Sequence, residues 1–243
     1  MKINLNRWRK AQNAEITYYI SRKVEWSTAT WKAYLMKNFS INFDVFRNKH
    51  VLEIGCGAFG VIHYINLPCF RVGIDPLCSI YRRLGLNTNH TIQTQQITCV
   101  GESLPFRDEA FDIILSINVL DHCLNPFNVL KEASRVLKRN GIFLLHLNTF
   151  DLPKGPRVIL GLFDRPHPYH FSNVEIISML REAGFEIYWQ NKKRPKITFK
   201  ILIEDPWHYL KCFLGELLRW RESFYICLKK NSSNSVSLDL LSH

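Results

Sequence analysis

The chain has 243 residues, of which 47% are apolar and 22% charged, and its formal net charge is +11. This length and apolar content suffice for one domain with a sizeable core, and no apolar run reaches the roughly 18 residues that a membrane-spanning helix needs. The N-terminus lacks the apolar core of a secretion signal, and the seven cysteines form no Cys-x-x-Cys pair. We therefore expect a cytoplasmic protein with reduced thiols and without a disulfide framework, a zinc site or another metal site.

The positive charge is concentrated near the N-terminus. Residues 1–50 carry ten Lys or Arg against three Asp or Glu, whereas residues 51–150 carry eight of each. Aromatic residues at helical spacing over residues 7–37 predict two helices, with a break near Ser27. Two interpretations stay open: the aromatic rings pack on the core beneath a solvated basic face, or basic and aromatic side chains together bind a polyanion.

From residue 50 the pattern changes to short apolar runs that alternate with amphipathic segments. Such alternation is typical of a parallel sheet with helices on both faces. Seven runs are predicted as strands: residues 50–54, 70–74, 97–100, 111–117, 142–147, 185–190 and 224–228.

Local signals mark the helices between the later strands. Asn125 and Pro126 fit the N-cap and first position of a helix that closes before Gly141, and Ser172 with Glu175 forms a capping box for the next one. Residues 194–222 read as an apolar, aromatic helical insertion, and the Ser-rich residues 231–243 as a flexible tail.

The first strand leads into a glycine-rich turn that opens a helix. Gly55, Gly57 and Gly60, followed by Asp75 twenty residues after the first glycine, fit the fingerprint of a dinucleotide site. Glu53 discriminates between two ligands, because a carboxylate just before the turn repels a diphosphate and attracts the ammonium and sulfonium of S-adenosylmethionine. A nicotinamide-dependent dehydrogenase remains the alternative from the spacing alone.

Four motifs in order resemble those of class I S-adenosylmethionine-dependent methyltransferases with a type 11-like domain: residues 51–60, 73–75, 101–106 and 111–116. The resemblance implies an α/β fold, a Rossmann-like three-layer sandwich with a mostly parallel seven-stranded sheet whose last strand runs antiparallel. It also implies an N-terminal helical lid over residues 1–47, before a methyltransferase domain over residues 48–230.

The same resemblance assigns a cofactor site for S-adenosyl-L-methionine. It implies that Glu53 and the glycine turn hold the methionine end of the cofactor and that Asp75 accepts both ribose hydroxyls. It also implies that Glu102 and the Ser103 amide bind the adenine edge. Asn118 and His122 would line the cofactor on the substrate side. The implied residues are Glu53, Gly55, Cys56, Gly57, Asp75, Glu102, Ser103, Asn118 and His122. Gly60 stands one place later than the family's third glycine often does, so the turn can differ in shape.

The acceptor is predicted to lie beyond the carboxyl ends of the fourth and fifth strands. Histidines in this region suit a base that takes a proton from a weakly acidic acceptor: His170 is the first candidate, with His167 and Asp164 behind it, and a structural role for His170 stays open. His146 is expected to belong to the core.

Direct in-line methyl transfer to a small-molecule, glycan or lipid-linked acceptor is the leading hypothesis, because the residues after the fourth strand lack the motif of adenine amine methyltransferases. The basic N-terminal region suggests an anionic acceptor. Two alternatives remain: an RNA methyltransferase that uses the same basic region, and a non-catalytic cofactor-binding protein of the same fold.

Overall fold

The structure is a computed structural model that describes residues 3–21, 26–86, 94–163, 167–194 and 220–230. The strands are β1 (His50–Ile54), β2 (Phe70–Ile74), β3 (Gln95–Ile97), β4 (Phe111–Ile117), β5 (Leu137–Phe150), β6 (Phe185–Lys193) and β7 (Trp220–Lys229). The helices are α1 (Leu5–Ser21), α2 (Thr28–Phe39), α3 (Cys78–Arg83), α4 (Pro126–Val136), α5 (Lys154–Phe163) and α6 (Asn173–Glu182). Three short 3-10 helices cover Phe43–Phe46, Val61–Tyr64 and Leu120–His122.

All seven strands belong to one sheet with the order β3-β2-β1-β4-β5-β7-β6. The pairs β2–β3, β1–β2, β1–β4 and β4–β5 are parallel, whereas β7 runs antiparallel to both β5 and β6. The predicted fold class is therefore confirmed: a mostly parallel seven-stranded sheet whose last strand is antiparallel. The strand order reverses between β1 and β4, the place where open α/β sheets bind ligands.

Alternation along the strands divides the core into two layers. Leu52 of β1 packs in the cluster that includes Val129 of α4 and Ile176 of α6, whereas Val51 packs on the opposite face with Leu35 of α2. Successive side chains of a strand point to opposite faces, so both faces of β1 are buried by helices.

The predicted helix starts are confirmed in detail. The Asn125 side chain accepts a hydrogen bond from the Asn128 amide, with Pro126 at the first position of α4. Ser172 and Glu175 form both hydrogen bonds of the capping box at the start of α6. Each cap satisfies backbone donors that lack partners within the helix.

Other local expectations differ from the structure. A 3-10 helix follows the glycine turn where a longer helix was expected, and β5 begins at Leu137, directly after α4, not at Ile142. Helix α5 was not predicted. β7 begins at Trp220, within the predicted insertion, while residues 195–219 of that insertion and the predicted tail at 231–243 lie outside the described residues.

Several hydrogen bonds hold the N-terminal segment against the body of the fold. The Ile3 amide donates to the Tyr169 hydroxyl at 2.9 Å, which donates to the Leu124 carbonyl oxygen at 2.9 Å. The indole N–H of Trp31 donates to the carbonyl oxygen of Phe59. Among the described residues, no helix is long and apolar enough to cross a membrane.

Candidate functional site

A cavity of about 540 Å³ lies at the carboxyl ends of β1, β2 and β4, where the strand order reverses. It collects most of the residues that the sequence singled out: Glu53, Gly55, Cys56, Gly57, Asp75, Glu102, Asn118, His122 and His167. Ser103 and His170 do not line it, and Asp164 lies outside the described residues. Its volume lies within the range of small-molecule sites.

The backbone conformation of the glycine turn and the residues packed around it both disfavour any side chain at Gly55 or Gly57. Gly55 and Gly57 have φ angles of +72° and +51°, in the left-handed region that L side chains disfavour. A Cβ at Gly55 would collide with Val119, and one at Gly57 would collide with the hydroxyl of Tyr19. The amides of Gly55 and Cys56 both donate to the Ile74 carbonyl oxygen, which fixes the turn to the end of β2.

Gly60 is required for a different reason. Its φ of −63° suits any residue, but a Cβ there would lie 2.6 Å from Oε2 of Glu53. The buried Glu53 carboxylate accepts hydrogen bonds from the amides of Val61 at 3.2 Å and Ile62 at 2.8 Å. The displaced third glycine therefore lets the chain pass directly over the acid.

Electrostatics at this end of the cavity favour a cation. Burial raises the pKa of Glu53 to about 8, although the two amide hydrogen bonds oppose the shift and Asp75 adds to it. Without a nearby cation, Glu53 is thus protonated in large part at neutral pH. A bound cation would restore its ionised form, because opposite charge lowers a carboxyl pKa.

Asp75 follows β2 and faces the same turn. Its Oδ2 accepts the Gly57 amide at 3.1 Å and its Oδ1 accepts the Leu77 amide at 2.8 Å. Burial raises its pKa to about 6, and these hydrogen bonds oppose the rise. Each carboxylate oxygen has lone pairs beyond the one used by its amide, so Asp75 retains the capacity to accept hydroxyl donors.

The structure brings only one of the two predicted adenine contacts to the cavity. Oε1 of Glu102 accepts the amides of Leu124 and Asn125, at 2.7 and 2.9 Å, so this carboxylate anchors the loop before α4. The Ser103 amide instead donates within a turn to the carbonyl oxygen of Val100. Cys99 and Val100 line the cavity beside Glu102 in its place.

Helices α1 and α2, with Trp26 just before α2, form an aromatic wall of the cavity. The wall rings are those of Trp8, Tyr18, Tyr19, Trp26, Trp31 and Tyr34. The indoles of Trp26 and Trp31 stack with centroids 4.5 Å apart, and Tyr19 packs edge-on against Tyr81. The N-terminal aromatic residues are thus partly core and partly ligand-facing, which sequence spacing alone left open.

Sequence reasoning assigned His146 to the core and did not identify Tyr34 as its partner. His146 is 8% exposed and lines the cavity, and its Nδ1 lies 2.7 Å from the Tyr34 hydroxyl. Burial lowers the pKa of His146 to about 4, which Asp121 opposes, so the ring is neutral at pH 7. Its position near the carboxyl end of β5 is the signal that would have placed it at the site.

Of the two histidines predicted as bases, only His167 reaches the cavity. Its ring lies 4.8 Å, centroid to centroid, from that of His122. The His170 ring packs against Phe150, and its carbonyl oxygen accepts a hydrogen bond from Arg157. The segment before α6 therefore directs its first histidine to the cavity and its second away from it.

The described cavity lining is acidic. It contains five carboxyl groups, from Glu15, Glu53, Asp75, Glu102 and Glu222, and no Lys or Arg. The basic residues of α1 therefore do not supply the positive charge that the predicted anionic acceptor would meet inside the cavity.

Comparison with known proteins identifies a methyltransferase domain within the chain. Residues 52–145 match a family model described as a methyltransferase domain. An uncharacterized protein of Methanocaldococcus jannaschii is 29% identical over 170 residues, which cover 61% of this chain and 68% of that protein. Probable tRNA methyltransferase 9B of Homo sapiens is 33% identical over 103 residues, which cover 40% of this chain and 21% of the human protein.

A solved structure shares the fold at low sequence identity. Geranyl diphosphate C-methyltransferase of Streptomyces coelicolor A3(2), in complex with Mg²⁺, geranyl diphosphate and S-adenosyl-L-homocysteine, superposes with a TM-score of 0.62 at 13% identity. The match covers 83% of this chain and 79% of that chain. Likeness at this identity establishes the fold and leaves the substrate open.

Proposed function

We propose, from the premise that this chain belongs to the class I S-adenosylmethionine-dependent methyltransferases, that it methylates a small-molecule, glycan or lipid-linked acceptor. One observation carries the proposal. One cavity is lined by the glycine turn, by two buried acids, by aromatic rings and by imidazoles. That arrangement suits a cationic cofactor beside an acceptor that fits within the same cavity.

The residues of the turn fit S-adenosylmethionine. Asp75 would accept the ribose hydroxyls, Glu53 would shape the turn and provide negative potential, and Gly55 and Gly57 would admit the ligand close to the backbone. When bound, the cofactor supplies a methyl group on a sulfonium centre, which an acceptor atom displaces in line. The chain's task is then to orient the acceptor and to exclude water.

Helices α1 and α2 would act as the lid and supply the acceptor wall. Aromatic faces such as Trp26 and Trp31 pack well against sugar rings or lipid chains. His122 and His167 lie where either imidazole can take a proton from an acceptor hydroxyl.

An RNA acceptor is the second candidate, and two observations favour it: the net charge of +7 over residues 1–50 and the partial match to the human protein named for tRNA. The cavity volume of about 540 Å³ favours a small acceptor, and the helices that carry the charge line the same site. The third candidate is a non-catalytic protein of the same fold, which would bind the cofactor at the glycine turn without transferring its methyl group.

Ligand binding to the purified protein tests the cofactor first. S-adenosylhomocysteine should raise the melting temperature saturably, and NAD at the same concentration should not; the reverse result would contradict the proposal. Transfer of radiolabelled methyl from S-adenosylmethionine is then screened against glycans, lipid-linked sugars and total tRNA. Salt-sensitive labelling of tRNA alone would select the RNA acceptor, and binding without labelling of any acceptor would select the non-catalytic alternative.

A further inference from the structure

Three potential metal ligands converge on one side of the cavity. Asp121 and His122 belong to the 3-10 helix after β4, and His167 comes from the segment before α6. One ligand atom from each residue lies within 4.8 Å of the other two. Nε2 of His122 lies 3.9 Å from Oδ1 of Asp121.

Two of these residues carry polar atoms whose burial needs an explanation. The Asp121 side chain is 4% exposed, and neither its Oδ1 nor Nδ1 of His122 has a hydrogen-bond partner within the part of the chain that the structure describes. A buried carboxylate oxygen without a donor is costly. A bound cation at this place would remove that cost by direct coordination.

The surrounding charge also favours a cation. The described lining holds five carboxyl groups and three imidazoles but no Lys or Arg. His122 and His167 therefore face a described lining that holds no Lys or Arg to repel a cation.

We propose that Asp121, His122 and His167 bind one divalent transition-metal ion, an assignment that differs from the sequence expectation of no metal. Two imidazoles and one carboxylate are a donor set for ions such as Mn²⁺, Fe²⁺, Co²⁺ or Zn²⁺, whereas Mg²⁺ prefers oxygen ligands alone. Metal–ligand distances of about 2.1 Å require the three ligand atoms to stand about 3 to 3.5 Å apart. The observed separations, up to 4.8 Å, are longer than this, so ion binding requires the side chains to rotate toward one another.

Three protein ligands leave coordination positions open toward the cavity. The catalytic use of the ion rests on the proposed function, whereas its binding does not. With the ion bound, His122 and His167 act as its ligands instead of as bases. An acceptor hydroxyl that coordinates the ion then has a lowered pKa and releases its proton to solvent. The acceptor oxygen then forms the bond to the methyl carbon while the carbon–sulfur bond breaks, with its electron pair retained on sulfur.

Cobalt provides a direct probe, because its visible absorption reports coordination without any turnover. Full-length protein treated with chelator is titrated with Co²⁺, followed by absorption and by calorimetry. We expect saturation at one ion per chain, and at least tenfold weaker binding for Asp121→Asn and His167→Asn. His50→Asn is the matched control, since His50 is exposed at the opposite end of β1.

Thermal unfolding checks that the variants fold. In chelator, Asp121→Asn should unfold no earlier than the wild type, because it removes a buried charge; with Co²⁺, only the wild type and the control should gain stability. Absence of saturable binding, or binding that both variants retain at full strength, would overturn the site. S-adenosylhomocysteine binding to the wild type is measured separately and tests the proposed function. If the wild type binds cobalt but not S-adenosylhomocysteine, the methyltransferase assignment is rejected and the metal site stands.

Discussion

The hydroxyl oxygen of Tyr34 in α2 lies 2.7 Å from Nδ1 of His146 in β5. This hydrogen bond connects the N-terminal helices to the carboxyl end of a central strand. Both residues line the cavity. Burial raises the pKa of Tyr34 well above its usual value, so the hydroxyl keeps its proton. The tautomer of the neutral imidazole sets which of the two atoms donates.

Loss of this hydroxyl should destabilise the protein. Tyr34→Phe leaves a buried imidazole nitrogen without its hydrogen-bond partner, which costs about 1 to 3 kcal/mol of unfolding free energy. Urea denaturation measures the change. Met36→Leu, at an exposed position of α2, is the control and should have little effect. Equal midpoints for the two variants would show that the hydrogen bond contributes no net stability.

Replacing Asp75 should weaken cofactor binding. Asp75→Asn removes the charge and one acceptor beside the turn, and a hydrogen bond to a charged group contributes about 1.5 to 3 kcal/mol. We expect S-adenosylhomocysteine to bind roughly tenfold to a hundredfold more weakly, by calorimetry. Asp112→Asn serves as control, because Asp112 pairs with Lys138 outside the cavity. Equal affinities for both variants would remove Asp75 from the site.

Substitution of Gly57 should have two separable effects, a steric collision with Tyr19 and backbone strain. Gly57→Ala adds a methyl group that meets the Tyr19 hydroxyl and places alanine at φ +51°, a conformation that costs about 1 to 2 kcal/mol. Both stability and affinity for S-adenosylhomocysteine should fall. Adding Tyr19→Phe to Gly57→Ala should recover the part of the lost stability and affinity that the collision causes. The part caused by backbone strain should remain.

Gly155→Ala is the matched glycine control, since a Cβ there meets nothing within 4 Å. Gly155 lies in α5, where alanine is the better helix former, so this variant should be neutral or slightly stabilising. Equal losses for Gly57→Ala and Gly155→Ala would contradict a special role for the turn.

Stability of the ligand-free protein should fall as pH rises. The pKa of Glu53 is raised from 4.5 to about 8 and that of Asp75 from 3.8 to about 6. Between the unfolded and folded values the folded chain holds protons that the unfolded chain has released. The resulting stabilisation is full below about pH 4 for these groups and is lost progressively up to about pH 8.

Denaturation curves measured at several pH values test this dependence. Glu53→Gln should flatten the decline above pH 6, since of these two acids only Glu53 has a folded pKa above that value. Glu109→Gln is a surface control, because Glu109 lies outside the cavity in ion pairs with Arg139 and Lys229. A decline that both variants share unchanged would assign the pH dependence to other groups.

The fold was predictable because its signals are local. Strand runs such as residues 50–54, the caps at Asn125 and Ser172, and the glycine turn each depend on a few neighbouring residues, and the sheet follows from their alternation. The start of β5 at Leu137 was not predictable, because that segment becomes a strand through pairing with β4. Tertiary pairing overrides weak local preference.

The sequence by itself determined the α/β class, the glycine turn and the acids Glu53 and Asp75, since chain order places them at the ends of adjacent strands. Only the tertiary structure decided which of His167 and His170 faces the cavity, joined Tyr34 to His146, and brought His167 beside Asp121 and His122. These contacts span long separations in sequence, and side-chain direction in irregular segments depends on packing that no local pattern encodes.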